Sequence, residues 1–329
     1  MEDKLVKLTN YNGINRDFQY KEGLNTDIYE LNNEEECAKG GLYFCKFKDV
    51  GKWIYEFGKD VLIWDVVIPQ GEKVIEYSNK LKAKSIILSN PTKAYDNYKI
   101  CIQAVTNTSM CIEFIEYQTE EICKIAVMNI GMLIKYVKKQ TPEICFLAVK
   151  QDGNALHYIK EQTHELCINA IKQNPVSFRY VKDKTYELCI LAVRLYGFNL
   201  QFIKEHNEEY CKLAVKQNGT SLRYVKEQTE EICELAINNY AFALYNVKEQ
   251  TSKLCILAVN KNGLALQFVK EQNEEICRLA VNQNGLALEY VKEQTPEICI
   301  LAVLQNKKAM KFVKEKTQEF YNGIGIEAW

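Results

Sequence analysis

A 22-residue repeat constrains this chain more than any other feature of its sequence. Ten consecutive copies run from Asn97 to Lys316, and an eleventh begins at Thr317. The segment EEICRLAV at 274–281, for instance, returns 22 residues later as PEICILAV. A unit this short cannot bury a core by itself, so successive copies must stack on one another to fold.

The pattern within each copy predicts a helix. Position 1 is always Thr or Asn, whose side chains cap helix starts by accepting a backbone N–H. Positions 4, 5, 8 and 9 are apolar in every copy, as are Ile276, Cys277, Ala280 and Val281, and this spacing forms one helix face. Gly at position 13 in six copies should end the helix in the left-handed conformation. A second short helix is predicted after it.

Two columns of the repeat do not vary at all. Position 8 is Ala and position 5 is Cys in all ten copies. An unvarying Ala indicates a close contact in which a larger side chain would clash, and Cys serves there as a small buried hydrophobe. Helices pack about 8–10 Å apart, too far for disulfides between neighbouring cysteines of this column. We therefore expect free, buried thiols.

The predicted fold is mainly α: an α-solenoid of ten 22-residue helix–turn–helix repeats over 97–316. A small α/β module over 1–96 precedes the array, and a C-terminal cap over 317–329 follows it. Solenoids must shield their apolar ends. The module should do so at one end, and the following aromatic residues should do so at the other: Phe320, Tyr321 and Trp329.

The first 96 residues do not repeat. Residues 40–47, 60–69 and 85–88 are rich in β-branched and aromatic side chains and are predicted to be strands. Residues 52–57 are predicted to form a short helix. Residues 89–97, which include a proline, are predicted to be the junction with the array.

A leucine-rich repeat is the alternative fold. The segment from Ile276 to Asn284 fits the frame L-x-x-L-x-L-x-x-N, and 22 residues is an allowed period. In that fold Cys277 and Ala280 would face solvent, although their columns vary least. The α-solenoid is therefore the preferred prediction.

Composition excludes several functional classes. Charged residues make up 26% of the chain and the formal net charge is −1, which gives no electrostatic case for nucleic acid or an anionic membrane as a partner. No apolar run is long enough to span a bilayer, and MEDKLVKLTNYNG at the start lacks the apolar core of a secretory signal. We expect an intracellular protein.

No reaction can be inferred from the sequence. The three histidines, His157, His164 and His206, occupy different repeat positions, so they share no metal site and are expected at the surface. Residues 51–60, GKWIYEFGKD, lack the end of a phosphate-binding loop. No catalytic residue, metal or cofactor is predicted.

Two variable columns indicate a binding face. Positions 10 and 17 change freely while the core columns stay constant, as expected where a rigid scaffold meets a partner; an unconstrained solvated face would show the same. The predicted partner-binding residues are Lys150, Lys172, Arg194 and Lys216 at position 10, and His157, Arg179, Gln201, Arg223, Tyr245 and Gln267 at position 17.

Several segments carry a resemblance to giant-virus (mimivirus-type) proteins. FQYKEGLNTD at 18–27, CAKGGLYF at 37–44 and KLKAKSIIL at 80–88 resemble a module that often precedes ankyrin repeats in those proteins. The motif ICxLAVxQNGLALxYVKEQT resembles an uncharacterised repeat family of the same viruses. Relatives carry His where this chain has Tyr11. The resemblance implies a viral protein acting in an infected host cell, in the cytoplasm or the virion, and brings no established activity.

Three functional hypotheses follow. The preferred one is a non-enzymatic scaffold that binds a host or viral protein. By analogy with viral ankyrin proteins, the second is a substrate adaptor for the host ubiquitin machinery. In the third, the order GLN…GGLYF is similar to ADP-ribosyltransferase-like folds, which implies Tyr43 as a stacking residue and Glu72 or Glu76 as an acid. Asn12-Gly13 stands where that family has His-Gly.

Overall fold

The computed structural model describes residues 4–32 and 39–325. The chain divides into two compact units between Asn174 and Pro175. The first unit holds a strand-rich module and the first helices of the array, and the second unit holds the remaining helices. Cys37 and Trp329 lie outside the described residues, and so does the expected end-shielding role of Trp329.

The module is built on an antiparallel sheet of seven strands in the order β4-β9-β6-β1-β5-β8-β7, beside a two-stranded hairpin of β2 and β3. The strands found among the described residues are β1 (Leu5–Thr9), β2 (Ile14–Asn15), β3 (Phe18–Gln19), β4 (Gly23–Thr26), β5 (Leu42–Lys46), β6 (Leu62–Val67), β7 (Val74–Glu76), β8 (Leu81–Ala83) and β9 (Ser85–Lys93).

The module differs from the α/β prediction. Strands β5, β6 and β9 fall on the three predicted segments, but the helical part of the described module consists only of short 3-10 helices, including Phe47–Lys52 and Ile54–Phe57. The predicted junction at 89–97 is wrong in its first half, because β9 continues to Lys93. Asn90 has a φ of 52° and lies where the register between β6 and β9 shifts. Because the pairing of the two strands is interrupted there, Pro91 fits into β9 although it has no N–H to donate.

The module shields the first repeat, as expected. Its 3-10 helix Phe47–Lys52 packs on the first helix of the array at Gly51, where a Cβ would come 2.3 Å from the carbonyl oxygen of Gln103. The rings of Tyr55 and Tyr95 lie 5.5 and 6.0 Å from that of Phe114 in the first repeat. A backbone approach this close needs glycine, so Gly51 sets the spacing of this contact.

Each repeat begins with a ten-residue α-helix, and a shorter eleventh helix follows. The helices are α1 (Tyr98–Asn107), α2 (Glu120–Asn129), α3 (Pro142–Gln151), α4 (His164–Gln173), α5 (Tyr186–Leu195), α6 (Glu208–Gln217), α7 (Glu230–Asn239), α8 (Ser252–Lys261), α9 (Glu274–Gln283), α10 (Pro296–Gln305) and α11 (Gln318–Gly323).

The second helix of each repeat is a 3-10 helix. These helices are Ser109–Glu113, Gly131–Tyr136, Gly153–Tyr158, Pro175–Tyr180, Gly197–Phe202, Gly219–Tyr224, Ala241–Asn246, Gly263–Phe268, Gly285–Tyr290 and Lys307–Phe312. The motif from Ile276 to Asn284 lies on α9, and Cys277 and Ala280 are buried. The leucine-rich alternative is therefore wrong, and the preferred helical repeat is confirmed.

The predicted helix starts are confirmed. The position-1 side chain accepts a hydrogen bond from the backbone N–H of position 4, as Asn207 does from Tyr210 at 2.8 Å and Asn273 from Ile276 at 2.9 Å. Thr185 is the exception among these residues, since its side chain makes no capping bond.

The predicted role of the position-13 glycines is wrong. The helix ends at position 11, and the residue at position 12 is extended, as is Asn262 with a φ of −152°. Gly263 then opens the 3-10 helix. A Cβ on Gly263 would lie 2.2 Å from the carbonyl oxygen of Ala280 in the next repeat. Glycine is thus selected here by a close backbone approach, and left-handed geometry is not required.

The two invariant columns are buried, as expected. Position-8 alanines such as Ala236 are 0% exposed, and the column cysteines are 6% exposed or less. None of the twelve described cysteines forms a disulfide. Burial raises the pKa of Cys123, Cys211 and Cys233 to about 11, so these thiols are protonated and unreactive at neutral pH.

The C-terminal cap is confirmed for one of its three predicted residues. Phe320 is fully buried in α11, and Thr317 caps this helix by accepting from the N–H of Phe320 at 3.2 Å. A Cβ added at Gly323 would clash with the side chain of Ile300 in α10, so α11 packs tightly on the last full repeat. Tyr321 is half-buried.

Candidate binding surface

Glutamines at position 22 join neighbouring repeats within each unit. The Gln250 side chain donates to the carbonyl of Phe268 at 2.9 Å and accepts from the backbone N–H of Lys270 at 2.9 Å. Cys255 donates its thiol to the same amide oxygen at 3.8 Å. Bonds of this kind recur at Gln118, Gln140, Gln228, Gln272 and Gln294.

A second column pairs positions 11 and 13. The N–H of Gly263 donates to the side-chain oxygen of Gln283 at 2.5 Å, and Gly219 donates to Asn239 at 2.7 Å. Where position 13 is Pro175, which has no N–H, the residue in the position of the acceptor is Leu195. Where position 13 is Ala241, that residue is Lys261, which cannot accept either. The hydrogen bond therefore accompanies glycine at position 13.

The lysines at position 20 are also engaged between repeats. Lys248 donates through Nζ to the carbonyl of Lys226 at 2.6 Å, and Lys270 donates to that of Lys248 at 2.8 Å. The same bond is made by Lys226, Lys292 and Lys314. Sequence reasoning missed the glutamine columns, although their regularity at polar positions was a visible signal. Together these bonds hold the repeats within each unit at a fixed spacing.

The ten predicted binding residues are all exposed. Those at position 10 lie at the end of α-helices α3 to α6, and those at position 17 lie in the 3-10 helices. The structure brings Arg223 and Tyr245 together on the wall of one groove in the second unit. Their role in binding stays a prediction.

We define the aromatic groove by Arg223, Tyr240, Phe242, Tyr245 and Phe268, which line a volume of about 360 Å³ together with Thr220 and Asn246. The ring of Phe268 lies 5.6 Å from that of Phe242 and 5.4 Å from that of Tyr245. Tyr240 packs against Phe242 at 5.4 Å. Edge-to-face pairs at these separations hold the rings in place.

Arg223 forms the cationic end of the aromatic groove. Its guanidinium lies 4.8 Å from the ring centre of Phe198 and 4.9 Å from that of Tyr224. Cation–π contacts at this range orient the side chain, while its charge stays accessible to a ligand. Sequence reasoning found Arg223 and Tyr245 but missed the aromatic residues at positions 12 and 14, where most repeats carry smaller or non-aromatic side chains.

His206 differs from its expected surface location. It takes the position-22 place of a glutamine, is half-buried, and its Nδ1 is buried without a hydrogen-bond partner. Burial lowers the pKa of His206, and the charge of Lys226 lowers it further. His157 and His164 are exposed, as predicted.

The residues proposed for ADP-ribosyl chemistry lie apart. Tyr43 lines a cavity of the module, whereas Glu72 and Glu76 lie outside its lining. Glu76 forms an ion pair with Lys46 at 2.5 Å. Within residues 4–32 and 39–325, no cluster of three or more His, Cys, Asp or Glu could hold a metal ion. Among the helices of the same residues, none qualifies as a membrane span.

These features define a helical-repeat protein with repeated helix–turn units and a strand-rich N-terminal module. The chain belongs to the DUF4116 family, a domain of unknown function, whose model matches residues 119–163, 141–185, 185–229, 252–295 and 273–318. These matches cover more than half of the chain, and each spans about two repeats. A comparison with curated proteins found no match, and neither did a comparison with solved structures.

Proposed function

We propose that the protein is a non-enzymatic scaffold whose repeats form an α-solenoid and bind a protein partner on their variable face. The observation that carries this proposal is the aromatic groove. Tyr245 is 70% exposed, yet its ring is held against Phe268, and exposed aromatic side chains on a rigid support are typical of binding surfaces.

The chemistry of the groove selects its occupant. Its walls are aromatic rings, and Arg223 supplies a positive charge that no described carboxylate neutralises by an ion pair. Arg194 and Lys216 add positive charge on nearby repeats. The complementary partner is an extended acidic protein segment that places a Trp or Pro side chain between the rings of Tyr245 and Phe242.

Fluorescent peptides carrying one Trp or Pro flanked by Glu test this proposal, with versions in which Lys replaces Glu. We expect the acidic peptides to bind and the basic ones to bind at least tenfold more weakly. The variant Tyr245→Gln with Phe242→Thr should weaken binding by at least tenfold. Both new residues occur naturally at these positions, in Gln267 and Thr220, so the fold should be retained.

The matched control is Tyr117→Gln, because Tyr117 is 77% exposed and lies outside the groove. It should bind as the unchanged protein does. Arg223→Glu, which copies Glu289, should invert the preference between acidic and basic peptides. Equal binding by the groove variant and the control would contradict the proposed site.

The solenoid is supported by the 22-residue period, which continues without insertion from Asn97 to Lys316. The same inter-repeat hydrogen bonds also occur in both units, for example at Gln140 and Gln250. Small-angle scattering should give the profile of an elongated particle; that of a compact globule would contradict it. The resemblance to giant-virus proteins supports a host or viral partner in an infected cell.

A further inference from the structure

The module contains a cavity that shares no residue with the aromatic groove of the repeats. Its volume is about 400 Å³, and it is lined by the central strands β1 and β5, the β2–β3 hairpin and the 3-10 helix Ile54–Phe57. Small-molecule sites in proteins have volumes of this order. The cavity has two unusual cations and an aromatic wall, and these identify its ligand class.

Lys7 is the first cation. It is 3% exposed, and its Nζ donates to the carbonyl of Tyr43 at 2.6 Å and lies 4.4 Å from the ring centre of Tyr20. None of the ion pairs among the described residues includes Lys7. Burial lowers the pKa of Lys7 to about 7. A buried amine without a carboxylate is costly, and a bound anion would offset this cost.

Arg16 is the second cation. It is the first of the two residues that connect β2 to β3, and its φ of 54° lies in the left-handed region. Glycine is favoured at such a position, and an arginine there is strained. Backbone strain of this kind is concentrated at functional sites. The guanidinium of Arg16 lies 5.4 Å from the ring centre of Tyr43, which places a second positive charge at the cavity.

The remaining lining is largely aromatic. Tyr20, Tyr43 and Trp53 contribute ring faces or edges, and Phe18 packs against Tyr20 with ring centres 4.6 Å apart. The carboxylate of Asp27 already accepts backbone N–H groups from Tyr29 and Gly41. The other two acids of the lining, Asp17 and Glu56, are exposed, as is Arg16. Lys39 and Lys80 also line the cavity, so its four cations outnumber its three carboxylates. The interior of the cavity therefore presents positive charge beside flat apolar walls.

We propose that this cavity binds a small organic anion that carries a flat ring. Lys7 and Arg16 pair with the carboxylate or phosphate of the ligand, while Tyr20, Tyr43 and Trp53 contact its ring. This site is independent of the aromatic groove and of any protein partner.

Calorimetric titration of the full chain tests the ligand class. Benzoate and phenyl phosphate are the probes, and whichever binds more tightly identifies the preferred anion. Inorganic phosphate lacks the ring, and cyclohexanecarboxylate has the charge but a puckered ring. We expect at least one aromatic probe to bind at least tenfold more tightly than both of these. Equal binding of all four, or no binding at millimolar concentration, would overturn the proposal.

Two variants locate the site. Arg16→Gly removes the guanidinium and places glycine where the backbone already has a positive φ, so it should fold at least as well as the unchanged protein. Lys7→Met keeps an unbranched side chain that is only one atom shorter, and it removes the charge. Each should weaken binding of the preferred probe at least tenfold, whereas Lys48→Met, at an exposed residue outside the cavity, should not. If Lys7→Met fails to fold, Arg16→Gly decides alone; unchanged binding by a folded Arg16→Gly contradicts the site.

Discussion

Because neighbouring repeats approach closely, one glycine-to-alanine substitution is predicted to destabilise the protein, which is the opposite of the usual effect. Replacing glycine by alanine usually stabilises a protein by about 0.4–1 kcal/mol, because it restricts the unfolded chain. At Gly263 we expect the opposite. The φ there is not positive, but an added Cβ would lie 2.2 Å from the carbonyl oxygen of Ala280 and 3.1 Å from the side-chain oxygen of Gln283.

The magnitude follows from this geometry. The two backbones must separate by about 1 Å to restore van der Waals contact. Ala280 is fully buried, so the movement also disturbs the packing around it. Overpacking of this kind costs about 1–3 kcal/mol, and the gain from a stiffer unfolded chain offsets part of it. The expected net effect of Gly263→Ala is a loss of about 1–2 kcal/mol.

Chemical denaturation and hydrogen exchange measure this effect. We expect a lower denaturation midpoint and faster exchange of the Gly263 amide, because its 2.5 Å bond to Gln283 is lengthened. The control is Ala241→Gly, at the same repeat position, where alanine is native and Lys261 replaces the glutamine. It should lower the free energy of unfolding by less than about 1 kcal/mol, because its only effect is to make the unfolded chain more flexible. A Gly263→Ala variant as stable as the unchanged protein would refute the close-approach argument.

Two further predictions concern buried titratable groups. His206→Gln should restore the position-22 hydrogen bonds and stabilise the protein by about 1 kcal/mol at pH 7. Because burial lowers the pKa of His206, the unchanged protein should lose further stability as the pH falls below about 6.5, and the variant should not. Thermal melts from pH 5 to 8, with His164→Gln as the control, measure this difference; the same pH dependence in His206→Gln and the unchanged protein would count against it. Lys7→Met should raise stability at pH 7 by an amount on the order of a few kcal/mol. Burial lowers the Lys7 pKa from 10.5 to about 7, so the unfolded chain binds the proton more tightly than the folded protein does. The free energy of unfolding of the unchanged protein should therefore rise between pH 7 and 10.5, and that of Lys7→Met should not. Urea denaturation at several pH values measures both; the same rise with pH in the two proteins would show that Lys7 is not the cause.

The helical repeat was predictable because each copy carries its own local signals. The cap at Asn273, the apolar face through Ile276 and Val281, and the period of 22 residues together leave few alternatives to stacked helical units. These signals depend on one helix at a time, so they can be recognised without knowing what that helix contacts.

The module was less predictable, because its strands pair over long distances. Central strand β1 (Leu5–Thr9) was missed. Its polar residues Lys7 and Thr9 are buried together with their apolar neighbours, so the strand lacks the alternation typical of a half-exposed strand. Thr9 accepts a hydrogen bond from the indole of Trp64 at 2.9 Å, a partner 55 residues away. No local pattern identifies such a pair.

The candidate sites divide in the same way. Arg223 and Tyr245 were found because their column varies in sequence, but the ring of Phe268 against which Tyr245 packs comes from the next repeat. Lys7 and Arg16 carried no motif and became conspicuous only through burial and backbone conformation.

The sequence by itself determined the repeated unit, its helix starts and its buried columns, because these follow from hydrophobic periodicity and side-chain capping within one copy. Only the tertiary structure showed that position 13 is glycine because a neighbouring backbone approaches it, and that glutamines at position 11, such as Gln283, accept a hydrogen bond from that glycine. It also decided which side chains line the groove and the cavity. The physical reason is that these properties depend on distances between separate segments, and such distances are set by the packing of one repeat or strand on another.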